Sequence, residues 1–229
     1  MKIGYTNLDL PQTKVKYNNK KEKALIEKCK PKKKAPFYVE FVEDEFVHCD
    51  IIAISKDSIL DLLILDIEKC ENRLERCTDE NDKKLLRKCI EYMENENPLC
   101  DLEVNEEEHK ILKALAPSSY KPVLQITEQL PVNEIIEKAL DKANLMFFFT
   151  AGPKEVHPWL VKKGSSIIKC AGIIHSDLEK GFIKGDVASF EDFMASHSFN
   201  DCKKKGLVKL VDRDHTLQDS DIIEIRFNI

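Results

Sequence analysis

Apolar and polar positions alternate through "FYVEFVED" and then run together in "DIIAIS". The first pattern predicts a half-buried strand, the second a strand covered on both faces. "KIGYT" reads as a further short strand, and "KPVLQI" as another. Between them, Leu63, Ile67, Cys70, Leu74 and Cys77 recur at the 4-3-4-3 spacing of a coiled-coil seam, behind Asp57 or Ser58 as a cap. "TDEND" makes a polar turn, and Leu86, Cys89 and Met93 continue the seam on a returning helix that Pro98 ends. The region 58–97 therefore predicts an antiparallel helical hairpin, and counting outward from the turn places Cys70 near Cys89. Ala24, Leu25, Ile26 and Cys29 predict a short helix stopped by Pro31. Asn105 with Glu108 is a capping-box spacing, and "VNEIIEKALDKAN" reads as an amphipathic helix.

Beyond residue 146 the pattern changes. Six of the seven glycines lie there. Five strand patterns ("LMFFFTA", "EVHPWLVKKG", "FIKGDVASF", "LVKLVD", "IIEIRFN") enclose helical segments near 166–173 and 190–204. Such an order in so short a stretch predicts a compact α+β domain. The expected organisation is a first domain over 1–145 that contains the hairpin, and a second over 146–229.

Composition narrows the class. Charged residues make up 34% and the apolar set 42%, a balance that suits a folded chain rather than a disordered one. No stretch approaches the roughly 18 uninterrupted apolar residues of a membrane span, and no apolar signal-like segment is present, so the expected location is cytoplasmic with no membrane partner. Eight cysteines are scattered without C-x-x-C or zinc spacing, which predicts reduced, structural thiols and no metal site. The net charge of −5 hides an asymmetry. Residues 1–34 hold eleven lysines against three acids, whereas residues 35–120 hold ten basic and twenty-two acidic groups. The lysine run suits either a solvated face or a phosphate backbone, and the acidic hairpin suits a basic protein partner.

The segments "FFFTAGPKEVHPWLVKKG", "AGIIHSDLEKGFIKGDVASFEDF" and "LQDSDIIEIRFNI" resemble the C-terminal TGS-type (DUF933-like) domain of Obg-like ATPases of the YchF type. "EKCKPKKKAPFYVEFVED" resembles that family's basic segment before its switch-two strand, the hairpin resembles its coiled-coil insertion, and "KPVLQITEQ" stands where its base-recognition strand lies. The resemblance implies an α/β domain of vestigial P-loop type with an inserted α-helical hairpin, followed by a ubiquitin-like β-grasp domain. It also implies contact with RNA or the ribosome.

The departures from the family pattern concern nucleotide chemistry. A phosphate loop needs G-x-x-x-x-G-K-[ST], because glycines let backbone N–H groups close on the phosphates. "YTNLDLPQTK" has no such glycines. The family's D-x-x-G is here Glu43-Asp44-Glu45-Phe46, and its N-x-x-E falls near Glu128-Gln129-Leu130-Pro131 without a match. These losses predict a non-enzymatic pseudo-GTPase with no cofactor, for which a small nucleotide is not an expected ligand. The alternative is residual binding and hydrolysis of ATP or GTP, with Thr13 and Lys14 as the only phosphate-type pair.

Nucleic-acid contact is the chemistry expected of the second domain. On an extended strand His157, Trp159, Val161 and Lys163 share one face, and an aromatic flanked by cations can stack a base while holding a backbone. Lys154, His157, Trp159, Lys162 and Lys163 are the first candidates, with Lys180 and Lys184 flanking "GFI" as the second set. A lone Trp packed into the core is the competing reading. His175 beside Asp177 suggests acid–base chemistry, but Ser176 and Glu179 form an S-x-x-E spacing that predicts a capping box instead. Ser220 stands where the family usually has glycine, which predicts some strain in that turn.

Overall fold

The computed structural model describes residues 1–228, so Ile229, the end of the expected second domain, lies outside the described residues. In chain order the elements are β1 (Lys2–Thr6), β2 (Lys14–Lys16), α1 (Lys20–Cys29), β3 (Lys33–Lys34), β4 (Tyr38–Glu43) and β5 (Ile51–Ser55). Next come α2 (Ile59–Arg76), α3 (Glu80–Glu94), α4 (Glu106–Leu115), β6 (Val123–Ile126) and α5 (Val132–Lys142). The remainder is β7 (Leu145–Ala151), β8 (Glu155–Lys162), α6 (Ile167–Ile174), α7 (Ser176–Lys180), β9 (Phe182–Ala188), α8 (Phe190–Ala195), α9 (Phe199–Lys204), β10 (Lys209–Val211) and β11 (Ile222–Phe227). They gather into two compact units. The first is Met1–Val15 with Tyr38–Ala143; the second is Lys16–Phe37 with the residues from Asn144 onward.

The first unit is built on a sheet of order β2-β4-β1-β5-β6, with β1 parallel to β4 and β5, and β5 parallel to β6. β5 is the apolar run of the sequence, and Ile51, Ile52, Ala53 and Ile54 are all fully buried, as a central parallel strand requires. The predicted hairpin is α2 and α3. Asp79 opens α3 by accepting from the Asn81 and Asp82 N–H groups. The buried face of α2 is wider than the predicted seam, because Ile59, Leu62 and Asp66 join Leu63 and Cys70 in it. Cys70 and Cys89 do meet there, and burial pushes their thiols up to about 12 and about 11. Asp66 is buried and accepts from the Ser118 and Ser119 N–H groups (2.8 and 2.6 Å), tying α2 to the 3-10 turn Ser118–Tyr120. The predicted capping box of Asn105 and Glu108 is formed.

In the second unit the sheet order is β10-β9-β11-β7-β8-β3. β7 and β8 form a hairpin, α6 follows, and the last strand, β11, enters the middle of the sheet parallel to β7 and antiparallel to β9. This is the β-grasp arrangement, with β3 added at the edge parallel to β8. The segment Lys16–Phe37, expected within the first domain, packs here instead. Its strand β3 hydrogen-bonds along β8, and Tyr17 stacks on Phe147 (5.9 Å between centroids, 20° between planes). α1 runs from its Asn19 cap to Lys30, a left-handed residue just ahead of Pro31, and Lys28 Nζ reaches the Met194 and Ser196 carbonyls. The helical stretch expected at 190–204 is two short helices, α8 and α9, capped by Ser189 and Ser198 respectively. Ser220 does lie in the left-handed region (φ 69°), buried, with its N–H bonded to the Phe147 carbonyl.

Asp186 on β9 is buried and receives both arms of Arg226 (2.8 Å each) together with Lys203 (3.1 Å). Burial alone would raise its carboxyl pKa; hydrogen bonds and charge from Arg226 and Lys203 outweigh burial and hold it below the usual aspartate range. A depressed native value stabilises the fold above the unfolded pKa of about 3.9, and the contribution disappears as pH falls through the native value. The melting-temperature gap between the natural chain and Asp186→Asn is therefore expected to be widest near neutrality and to close below about pH 4. A gap that stays constant from pH 7 to pH 3 in thermal unfolding would refute this account.

Candidate functional site

In an open parallel sheet, ligands sit beyond the carboxyl ends of the strands. In the first unit that edge is formed by the chain after β1 and the loop after β4. Asn7, at φ 52°, turns the chain out of β1, and its amide donates to Ser58 Oγ (2.7 Å). The following turn is closed on itself: the Leu10 and Thr13 N–H groups donate to the Leu8 and Pro11 carbonyls, and the Tyr5 hydroxyl donates to the Leu10 carbonyl (2.8 Å). No fan of amides converges there of the kind a Gly-rich phosphate loop provides. Thr13 and Lys14 are exposed at the entry to β2, beside a groove of about 230 Å³ lined by Gln12, Thr13, Glu40, Phe41, Val42 and Glu43. That volume is below the roughly 300 Å³ at which small-molecule pockets begin.

The three carboxylates of the second loop already have donors. Glu43 accepts from Gln12, Asp44 from the Thr6 hydroxyl (2.5 Å), and Glu45 from the Val47 and His48 N–H groups (2.8 and 2.7 Å). Those backbone donors, His48 first, hold the Glu45 carboxyl below the usual range. Lys121 Nζ donates to the Phe46 and Val47 carbonyls and pins the loop. Gly4 permits the arrangement, since a Cβ there would stand 1.7 Å from the Glu45 carbonyl oxygen. The residues at this edge thus do not form a glycine cradle, and Thr13 and Lys14 are among the groups exposed there.

In the second unit, His157 and Trp159 do share a face of β8. Their rings stack at 3.7 Å and 10°, and the indole N–H donates to Thr150 Oγ1 (3.0 Å). Trp159 also packs on the apolar cluster around Phe148 and Val161, so it is half core and half surface. Burial, with the charge of Lys33, holds the His157 imidazole below its usual range in spite of Glu155. The lysines do not converge on this stack. Lys154 precedes β8 while Lys162 and Lys163 stand at its far end, roughly 30 Å away along an extended strand. Lys180 ends α7, exposed, and Lys184 on β9 pairs with Asp212. The cation whose charge reaches His157 is Lys33 of β3, paired with Glu155 at 2.9 Å. Its place depends on parallel pairing between segments more than a hundred residues apart, which no local pattern encodes.

His175, which the sequence pairs with Asp177, has a structural partner. Its Nδ1 accepts from the Asp177 N–H (3.2 Å) and caps α7. The expected Ser176–Glu179 capping box does not form, because Ser176 is already the first residue of the helix. Among the described residues no group of three or more His, Cys, Asp or Glu side chains could hold a metal ion, and no helix is long and apolar enough to cross a membrane.

Comparison with known proteins agrees with the fold. Residues 145–228 match the family model YchF-GTPase_C, described as a protein of unknown function (DUF933). The ribosome-binding ATPase YchF of Bacillus subtilis is 27% identical over 237 residues, covering 74% of this chain and 65% of that protein. Its namesake in Mycoplasma genitalium is 34% identical over 179 residues, covering 78% of this chain and 46% of that protein. The chain thus spans less than two thirds of the length of either relative. The solved structure of the Schizosaccharomyces pombe YchF GTPase superposes with a TM-score of 0.81 over 99% of this chain and 97% of that one, at 16% identity, which carries the fold alone. The names of these relatives overturn the expectation, drawn from the missing motifs, of a non-enzymatic pseudo-GTPase: the proteins that match over most of the chain are named ATPases. The chain is a relative of the Obg-like ATPases of the YchF type and carries that family's DUF933-type C-terminal domain.

Proposed function

We propose that the chain is a cytoplasmic, ribosome-binding protein of the YchF ATPase type, which engages a nucleoside triphosphate at the carboxyl edge of its first sheet. The observation that carries this reading is the extent of the likeness. Matches over 74% and 78% of the chain exceed what either compact unit holds, so both units share in the relation to proteins named ribosome-binding ATPases. The strand order supports it, because β1 and β4 still end at the edge where parallel sheets place ligands. At that edge a polyphosphate has to be held by side chains, Lys14 with Thr13, instead of a cradle of amides. Binding is accordingly weak and steeply dependent on salt. Contact with ribosomal RNA falls to the second unit, through the His157–Trp159 stack and the separate cations Lys154, Lys162, Lys163 and Lys180 spread over its surface.

The test has two arms. Calorimetric titration with ATP is expected to give one site, weakened about fivefold or more by Lys14→Ala, with slow phosphate release. Ribosome co-sedimentation at low salt is expected to pellet the chain, and the paired change Lys162→Glu, Lys163→Glu to reduce the pelleted fraction. Each phosphate contact steepens the salt dependence by close to one unit of slope. No heat and no phosphate release would remove the nucleotide half of the reading; a chain that stays in the supernatant at 50 mM salt, roughly the low end used for such contacts, would remove the ribosomal half.

A further inference from the structure

On α2, successive side chains turn by roughly 100°. Ile59, Leu62, Leu63, Asp66 and Cys70 take the buried side. The opposite arc, about 140° wide on that geometry, carries Leu60, Ile64 and Leu65 at 41%, 57% and 55% exposure. The same arc carries Asp61, Glu68, Glu71 and Glu75, all exposed, and no cation. Among the described residues none of these four carboxylates forms an ion pair. The helix's own cations lie outside the arc: Arg76 and Lys69 follow its Leu65 edge and Arg73 lies further toward the buried side, with Lys69 held by the Ala116 carbonyl and Asp66.

We propose that this arc of α2 is a docking surface for a basic amphipathic helix of another protein. Three branched apolar side chains in the open are not needed to fold the hairpin, whose core is filled from the other side. Exposed apolar groups with charge of one sign interspersed among them are the marks of a partner surface. The sign selects the partner class: four unpaired carboxylates repel a phosphate backbone and attract lysine and arginine. From Leu60 to Glu75 the arc is about 22 Å long, enough for four turns of a partner helix whose Leu or Ile anchors meet Leu60, Ile64 and Leu65 while its flanking cations meet the carboxylates.

The experiment uses the full chain and a fluorescein-labelled 18-residue peptide of leucine and lysine at helical spacing. Controls are the same composition scrambled and a leucine–glutamate version. The lysine helix is expected to bind. The paired change Ile64→Lys, Leu65→Lys is expected to weaken it tenfold or more, the scale of a lost interface anchor. These sites are exposed, so helicity by circular dichroism is expected to be unchanged. Equal binding of the scrambled peptide, or no effect of the paired change, would overturn the proposal. So would an ultracentrifugation result in which the chain is a dimer that the paired change dissociates, since the face would then belong to a second copy. Single-stranded RNA binding lost in the same variant would overturn it as well.

Discussion

Replacing Gly4 by alanine is expected to destabilise the first unit by about 3 kcal/mol or more. The added Cβ would lie 1.7 Å from the Glu45 carbonyl oxygen and 2.9 Å from its carbon, and both are backbone atoms that no rotamer change removes. β1 cannot yield, because it is hydrogen-bonded on both sides, to β4 and β5. The loop cannot yield cheaply either. Lys121 holds the Phe46 and Val47 carbonyls, and the Asp44 N–H is bonded to the Tyr5 carbonyl. The expected result is a large fall in the urea midpoint with the loop after β4 displaced from the candidate nucleotide edge. Gly152→Ala is the matched control, since nothing lies within 4 Å of a Cβ there; it is expected to change stability by no more than about 0.5 kcal/mol. Equal midpoints for the two variants would sink the close-approach argument.

Asp66→Ala carries the second large effect, a loss of about 3 kcal/mol. Asp66 is 1% exposed, and its two oxygens accept the Ser118 and Ser119 N–H groups. Alanine leaves both donors without a partner inside a low-dielectric environment, and a buried donor left unmade costs on the order of 1–3 kcal/mol. Asp66→Asn is expected to fall between, because its amide keeps one acceptor and turns an NH₂ toward the other N–H. Hydrogen exchange reads the mechanism directly: the Ser118 and Ser119 amides lose protection in Asp66→Ala before the rest of the unit does. Unchanged protection at those two amides would show that the carboxylate is not what orders the turn.

Much of the architecture is local and was therefore legible. The Asn105–Glu108 box, the Asp79 turn between α2 and α3, the apolar run of β5 and the five strands after residue 144 each follow from residues a few positions apart. Steric fit and backbone capping act over one or two turns, so the pattern of side chains carries them. Ser220, which stands where the resembled family usually has glycine and where some strain is expected, does take a left-handed backbone. The expectation of a non-enzymatic chain rests on absent motifs, and relatives named ATPases overturn it. Missing glycines describe one way of holding phosphate, and they say nothing about relatives that share both units and are named ATPases.

From its own order of residues the chain determines two sheets, a helical hairpin with one acidic flank, and the Asn105–Glu108 capping box, whereas the Ser176–Glu179 box does not form and Ser58 makes no side-chain capping bond to α2. Only the tertiary structure decided which unit the lysine-rich segment joins, that the charge of Lys33 reaches His157, and that His175 caps a helix. It also decided that Gly4 yields room to a loop forty residues away and that Leu60, Ile64 and Leu65 face outward. Helical periodicity is satisfied equally well by either apolar stripe of α2, and a strand's edge is open to any partner of matching register. Long-range packing chooses among such degenerate options, because buried area and satisfied hydrogen bonds are summed over the whole unit and not over a window of sequence.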